Sequence, residues 1–261
     1  MLVVQLLVAL GGACGEGDAE PTALDAMAGD AGDPACNRGT WNDDFYVGGA
    51  GTAEELTGYT AVTGSLDLVF VDLPSLEGLE CLREVGGLSI SGAHALRSLE
   101  GLEGLRSVGQ LSIGNNAVLA SLNGLGGLTS VQEDVYLMGN EALAELDGLG
   151  ALESIGRSLS VGAARAGCCE PAGPPPGTAL TSLHGLSALR SIGGDLILSS
   201  NAALRTLDGI ASLTDLAGDL SVMDNSALPT CEATALADRL VAQGWAGQTA
   251  ISGNDDAGGC E

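Results

Sequence analysis

The chain contains no lysine: each of its 9 basic residues is an arginine. That excludes the phosphate-loop lysine and the Schiff-base lysine as mechanisms. Aromatic residues make up 3% of the 261 positions, so a core has to be built from Leu, Ile and Val. Positive charge is scarce against 34 acidic residues, and the net charge is −25. An acidic surface repels nucleic acid and anionic lipid, so neither is expected as a partner. The acidity itself serves solubility. There is no CxxC pair and no His–Cys pairing at ligand spacing, so no metal site is expected. No serine stands in a nucleophile-elbow context. With no catalytic constellation, the chain reads as non-enzymatic and without a cofactor.

What is present is a leucine-rich phrase of about 23–24 residues that recurs along the chain. Clear copies are GGLSISGAHALRSLEGLEGLRSV (86–108), GQLSIGNNAVLASLNGLGGLTSV (109–131), EDVYLMGNEALAELDGLGALESI (133–155) and GGDLILSSNAALRTLDGIASLTDL (193–216). A short repeating unit cannot bury its own apolar side. It has to stack on copies of itself, which makes a solenoid and puts function on a surface. His94 and His184 occupy variable slots of this phrase, equivalent to Glu141 and Asn123 in neighbouring copies. The runs such as GLGGL recur because the phrase does.

Each copy opens on an alternating triplet, such as Leu88-Ser89-Ile90 or Val135-Tyr136-Leu137. Alternation predicts a strand with one face inward. One strand per coil, in register, predicts a parallel sheet down one side, from Leu66-Asp67-Leu68 to Thr249-Ala250-Ile251. Five residues after the triplet's first position stands an Asn: Asn116, Asn140, Asn201, Asn225 and Asn254. Buried there, it is expected to bond turn backbone in its own and the next coil, groups that cost about 1–3 kcal/mol each when left dry. Ala93 and Ala164 take that place in two coils, whose turns are expected to be looser. Apolar residues then follow at a spacing of three (Leu96, Leu99, Leu102, Leu105, Val108), with Gly101, Gly124, Gly148, Gly185 and Gly209 before the third of them in their copies. That spacing suits a chain turning corners around a narrow core.

The pattern L-x-I-x-x-N-x-x-L-x-x-L-x-G-L-x-x-L-x-x-V resembles the receptor L domain, known from the ectodomains of the insulin and epidermal growth factor receptors. The stretch Glu55 to Leu66 is similar to that family's opening phrase, with Tyr59 where the family usually has a cysteine. The run LPTCEATALADRLVAQGWAGQTAISGNDDAGGC is similar to the closing segment of its bacterial secreted or lipoprotein members. The resemblance implies a mainly β fold: a right-handed parallel β-helix of flattened section, related to leucine-rich repeats. A horseshoe with a helix in each repeat ranks lower, because SLEGLEGL and its copies carry too many glycines. The family binds varied partners, so the resemblance speaks for the fold and not for a ligand.

The N-terminus reads separately. Residues 2–10 (LVVQLLVAL) are an apolar run too short to span a bilayer. Gly11, Gly12 and Ala13 follow, then Cys14. This reads as a secretory signal, and small residues before a cysteine look like the lipobox of bacterial lipoproteins, in which that cysteine is acylated. The expected organisation is a signal peptide (1–13), a flexible tether (14–35), an N-terminal cap (36–62), the repeat solenoid (63–228) and a C-terminal cap (229–261). Residues 232–243 predict a capping helix with Leu236 and Leu240 on one side, Thr230 as N-cap and Gly244 as stop.

Setting Cys14 aside leaves six cysteines: Cys36, Cys81, Cys168, Cys169, Cys231 and Cys260. Behind a signal sequence an even count suggests disulfides, with fifteen pairings open in principle. Cys231 with Cys260 would bracket the C-terminal cap, and Cys36 with Cys81 would tie the N-terminal cap to the first coils. Cys168 and Cys169 are left to bond each other or remain reactive. They lie in an inserted stretch, ARAGCCEPAGPPPGT, that makes one coil too long. Outward positions of the triplets are mostly small. Tyr136, Met138, Ile197 and Met223 are the exceptions and form the candidate contact patch. The acidic SGNDDAGG near the end lacks the ligand spacing of a calcium loop and reads as a solvated tail.

The expected protein is therefore an exported cell-envelope lipoprotein, anchored by its N-terminal lipid, otherwise secreted. Its solenoid would bind a protein or carbohydrate ligand at the cell surface; a structural envelope protein without a ligand is the alternative. Replacing Cys14 with Ser is expected to release the protein from the membrane fraction. Fractionation followed by immunoblotting checks this, and unchanged membrane association rejects lipidation.

Overall fold

Alternating triplets become strands wherever the sequence places them. A computed structural model of the chain describes residues 35–163 and 177–259. Its strands are β1 (Gly39–Trp41), β2 (Phe45–Gly49), β3 (Tyr59–Val71), β4 (Glu84–Ser91), β5 (Ser107–Gly114), β6 (Ser130–Val131), β7 (Val135–Met138), β8 (Ser154–Ile155), β9 (Leu159–Gly162), β10 (Ser191–Ile192), β11 (Leu196–Ser199), β12 (Asp215–Leu216), β13 (Leu220–Met223) and β14 (Thr249–Ser252). A helix, α1 (Thr230–Ala242), lies between the last two. All strand pairings are parallel, and the chain forms a β-solenoid of about seven turns.

The strands stack in two columns. The main column carries the triplets: Phe45, Leu66, Leu88, Leu111, Val135, Leu159, Leu196, Leu220 and Thr249 share one register. It begins at Phe45-Tyr46-Val47, a triplet that no repeat phrase announces. The second column is made of short strands ending in Val85, Val108, Val131, Ile155, Ile192 and Leu216. The columns join in more than one way: β3 links them through three residues, Thr63-Gly64-Ser65, and stays one strand with a bulge there. In β4 and β5 two residues link them, Gly86-Gly87 and Gly109-Gln110, and the strand runs straight through. Later coils have three: Gln132-Glu133-Asp134, Gly156-Arg157-Ser158, Gly193-Gly194-Asp195 and Ala217-Gly218-Asp219. There the strand breaks in two.

Inside, the three-spaced residues line the core. Leu96, Leu99, Leu102 and Leu105 are wholly buried, as are their counterparts Leu119, Leu122, Leu125 and Leu128. Each contributes roughly 1.5–3 kcal/mol before entropy is subtracted. The glycine before the third of them is a matter of clearance. A Cβ on Gly124 would overlap the carbonyl of Leu99, and one on Gly148 that of Leu122. Coils can stack at strand spacing only if this corner has no side chain.

The asparagines are buried and bonded, but they serve the preceding coil, not their own. Asn116 donates from Nδ2 to the Ile90 carbonyl at 3.0 Å and accepts at Oδ1 from the Ala93 N–H at 2.9 Å. Asn140, Asn225 and Asn254 donate in the same way to Ile113, Leu198 and Val222. Consecutive asparagines are also joined: Asn116 Nδ2 to Asn140 Oδ1, and Asn201 Nδ2 to Asn225 Oδ1. The turn at Ala93 is therefore not looser. Its own N–H is held by the next coil's Asn, and the His94 N–H donates to the Val71 carbonyl. The residue before each Asn makes the corner in the left-handed region, as Asn115, Ser200 and Asp224 do at φ 56, 59 and 58°.

Both ends are capped. Cys36 and Cys81 form the expected disulfide. Trp41 meets the rings of Phe45 and Tyr59 edge-on, and the Arg38 guanidinium lies 4.2 Å from the Tyr59 ring centre. At the other end α1 buries Ala233, Leu236, Ala237 and Leu240. It starts at Thr230, earlier than expected, and Pro229 holds the N-cap position without a side-chain bond. Proline's preset φ suits a helix entrance, and the Thr230 hydroxyl goes instead to Asp256 Oδ1 at 2.6 Å. Gly244 ends the helix at φ 100°, with its N–H on Val241 and the Trp245 N–H on Leu240, the paired bonds of a Schellman cap. The acidic stretch is no free tail. The Asp255 N–H donates to Leu228 and its carbonyl accepts from Thr230. Cys231 is disulfide-bonded; its expected partner Cys260, the pair Cys168 and Cys169, Ala164, and Cys14 with the signal and tether lie outside the described residues.

Asn116→Ala is expected to destabilise the fold by about 2–4 kcal/mol, since it strands the Ile90 carbonyl and the Ala93 N–H in the interior. Asn254→Ala, at the half-buried end of the ladder, is expected to cost clearly less. Urea denaturation of the two variants checks the order.

Candidate binding surface

Side chains between the buried ones face outward on the main column. Register places Tyr136 beside Ser112 and Ser160, Ser160 beside Ile197, and Ile197 beside Ser221. The next outward row runs Met138, Gly162, Ser199, Met223. Tyr136, Met138, Ile197 and Met223 thus share one face, each half-buried. They are not in one block. Tyr136 and Ile197 are two strands apart, about 10 Å, and Met138 and Met223 three strands, about 14 Å. They frame a floor of small residues, in which Ser160 is 3% and Ser199 8% exposed.

Tyr136 has a charged neighbour: the Asp134 carboxylate stands close enough for its charge to act on the phenol. Partial burial first, and then that neighbouring charge, hold its phenol above the usual tyrosine range, while Arg157 pulls it back somewhat. Arg157 also stands 3.9 Å from Glu133 at the exposed rim.

Asp134 belongs to a second ladder that the repeat phrase did not reveal. Asp134 Oδ1 accepts the Ser158 N–H, Ser158 Oγ the Asp195 N–H, Asp195 Oδ1 the Asp219 N–H and Asp219 Oδ1 the Gln248 N–H, at 2.8–3.0 Å. Asp44 does the same for Ser65 at 2.7 Å. These positions coincide with the three-residue links. An extra residue pushes one N–H out of the strand ladder, and a polar side chain of the preceding coil takes it. The signal was present in sequence, as Asp or Ser directly before a triplet. Thr178 was missed too. Buried after the long insertion, its hydroxyl donates to Asn201 Oδ1 at 2.7 Å, the bond that a turn N–H makes elsewhere.

Two hollows follow the bend between the columns. One of about 480 Å³ spans Ser65, Gly87, Gln110 and Glu133 in the early coils. The other, about 700 Å³, spans Ser130, Ser154, Ser191 and Asp215 and ends on Gln243 and Trp245. Among the described residues no group of three or more His, Cys, Asp or Glu is placed to hold a metal ion, and no helix is long and apolar enough to cross a membrane. No protein-family model, curated protein or solved structure matches the chain.

The phenol of Tyr136 is expected to ionise above the usual tyrosine value of about 10. A folded value raised above the unfolded one means that the Tyr136 contribution is complete below that pH and is lost as pH rises through the folded value. Asp134→Asn is expected to move the midpoint down, towards ordinary tyrosine. Ultraviolet titration of both proteins, with Tyr46 and Tyr59 replaced by Phe, reads the difference.

Proposed function

We propose that this chain is an exported cell-envelope lipoprotein whose solenoid, of receptor L type, is a non-enzymatic binding or adhesion module. A stack of coils offers a long rigid face and no enclosed cleft, which suits recognition of an extended surface. The observation that carries the reading is the outward face of the main column. Large, half-buried side chains, Tyr136 and Ile197 among them, stand around a small-residue floor. Rigid aromatic anchors of this kind supply contact area at little cost in entropy. The lipobox-like Cys14 supports a membrane anchor through lipid alone, with a protein or carbohydrate ligand outside. A structural envelope role is the second reading, favoured by the blandness of Ser89, Ser112 and Ser221 on the same face.

Tyr136→Ser combined with Ile197→Ser is expected to weaken binding of the purified protein to isolated cell envelopes by about tenfold or more, the equivalent of about 1.4 kcal/mol. Both positions face outward, so melting should change little. Unchanged binding removes this face from the reading and leaves the structural role.

A further inference from the structure

We infer that the groove beside the second column binds a neutral polysaccharide chain lying along the solenoid axis; this rests on the reading of the solenoid as a binding module and assigns it a ligand class. The groove follows four successive coils and encloses about 700 Å³. Its floor presents one hydrogen-bonding side chain per coil in strict register, Ser130 beside Ser154, Ser154 beside Ser191 and Ser191 beside Asp215. Strand spacing repeats these groups every 4.8 Å or so, which suits a ligand that itself repeats. The serines are not needed to hold the bend together. Asp134, Ser158, Asp195 and Asp219 do that from the neighbouring position.

Charge selects among ligands. The protein carries a net charge of −25, yet the groove lining holds one charged residue, Asp215, whose carboxylate already accepts the Thr214 hydroxyl at 2.8 Å. Among the described residues no arginine lines it to receive an anionic chain, and no row of carboxylates lines it to receive a basic peptide. Hydroxyls and amides in a trough with a single, already bonded carboxylate match a polyhydroxylated, uncharged chain. The closed end supplies the second element of such a site. Trp245 is held in place by its Nε1–H bond to the Gly218 carbonyl at 2.8 Å. Trp245 lines this end with Gln243 and, at 9% exposure, offers a narrow apolar edge, against which the C–H groups of a sugar ring can pack.

Affinity electrophoresis of the full chain tests this, in gels cast with dextran, galactomannan or laminarin as neutral chains and alginate as the anionic one. At least one neutral polysaccharide is expected to retard the protein, and alginate is not. Ser154→Phe, which fills the middle of the groove from an outward position, is expected to weaken retardation about tenfold with an unchanged melting temperature. Ser154→Ala, which removes only one hydroxyl, should weaken it less. Tyr136→Ser with Ile197→Ser should leave it intact. Absence of retardation by all three neutral chains overturns the groove assignment, as does retardation by alginate alone or full retardation of a folded Ser154→Phe variant. Envelope binding that depends on Tyr136 and Ile197, without any polysaccharide retardation, overturns the groove and leaves the binding module standing.

Discussion

Everything in this protein depends on one coil completing the hydrogen bonds of another. A turn at the end of a short strand leaves backbone groups without ladder partners, and leaving each one dry costs about 1–3 kcal/mol. The solenoid meets this with side chains from adjacent coils. Asn116 closes the turn of residues 90–93, and Asn225 and Asn254 close those before them. Because the bond runs between coils, it holds them at strand spacing, and that spacing governs the rest. It demands glycine where Gly124 and Gly148 pass beneath neighbouring carbonyls, and it puts the leucines in contact with their own counterparts.

Two ladders act in opposite senses. The asparagines donate back to the preceding coil, whereas Asp134, Ser158, Asp195 and Asp219 accept from the following one. An inner coil is gripped from both directions. The long insertion tests this arrangement, since its coil has no asparagine of its own. Thr178 re-enters with a buried hydroxyl and supplies the missing donor to Asn201. The ladder resumes on the far side of the insertion with Thr178, Asn201, Asn225 and Asn254.

With bonding and packing settled inside and at the corners, outward positions are free to vary. Variation is where specificity can reside. The groove beside the second column holds a single charged residue, Asp215. The main face holds its few large side chains around buried serines.

The repeat phrase alone determined that the chain is a stacked solenoid with a parallel sheet down one side, because so short a unit buries its apolar side only against copies of itself. Triplet strands, the asparagine column, the glycine corners and a helical cap over the last coil were all legible from residue types at fixed offsets. The Cys36–Cys81 bridge followed from which elements it would tie. Other features needed the third dimension. Whether the two columns join as one strand or split is not set by link length, since β3 carries a three-residue link unbroken, and Asp134, Ser158 or Asp219 gain meaning only when the displaced N–H of a neighbouring coil is seen. Thr178, Phe45-Tyr46-Val47 and the N-cap at Pro229 lie outside any repeat, so no offset pointed to them. The candidate patch was legible as a list but not as a shape. Tertiary stacking alone decides that Tyr136 and Ile197 flank a serine floor and that three serines and Asp215 from four coils line one groove, because both are relations between coils and not within one.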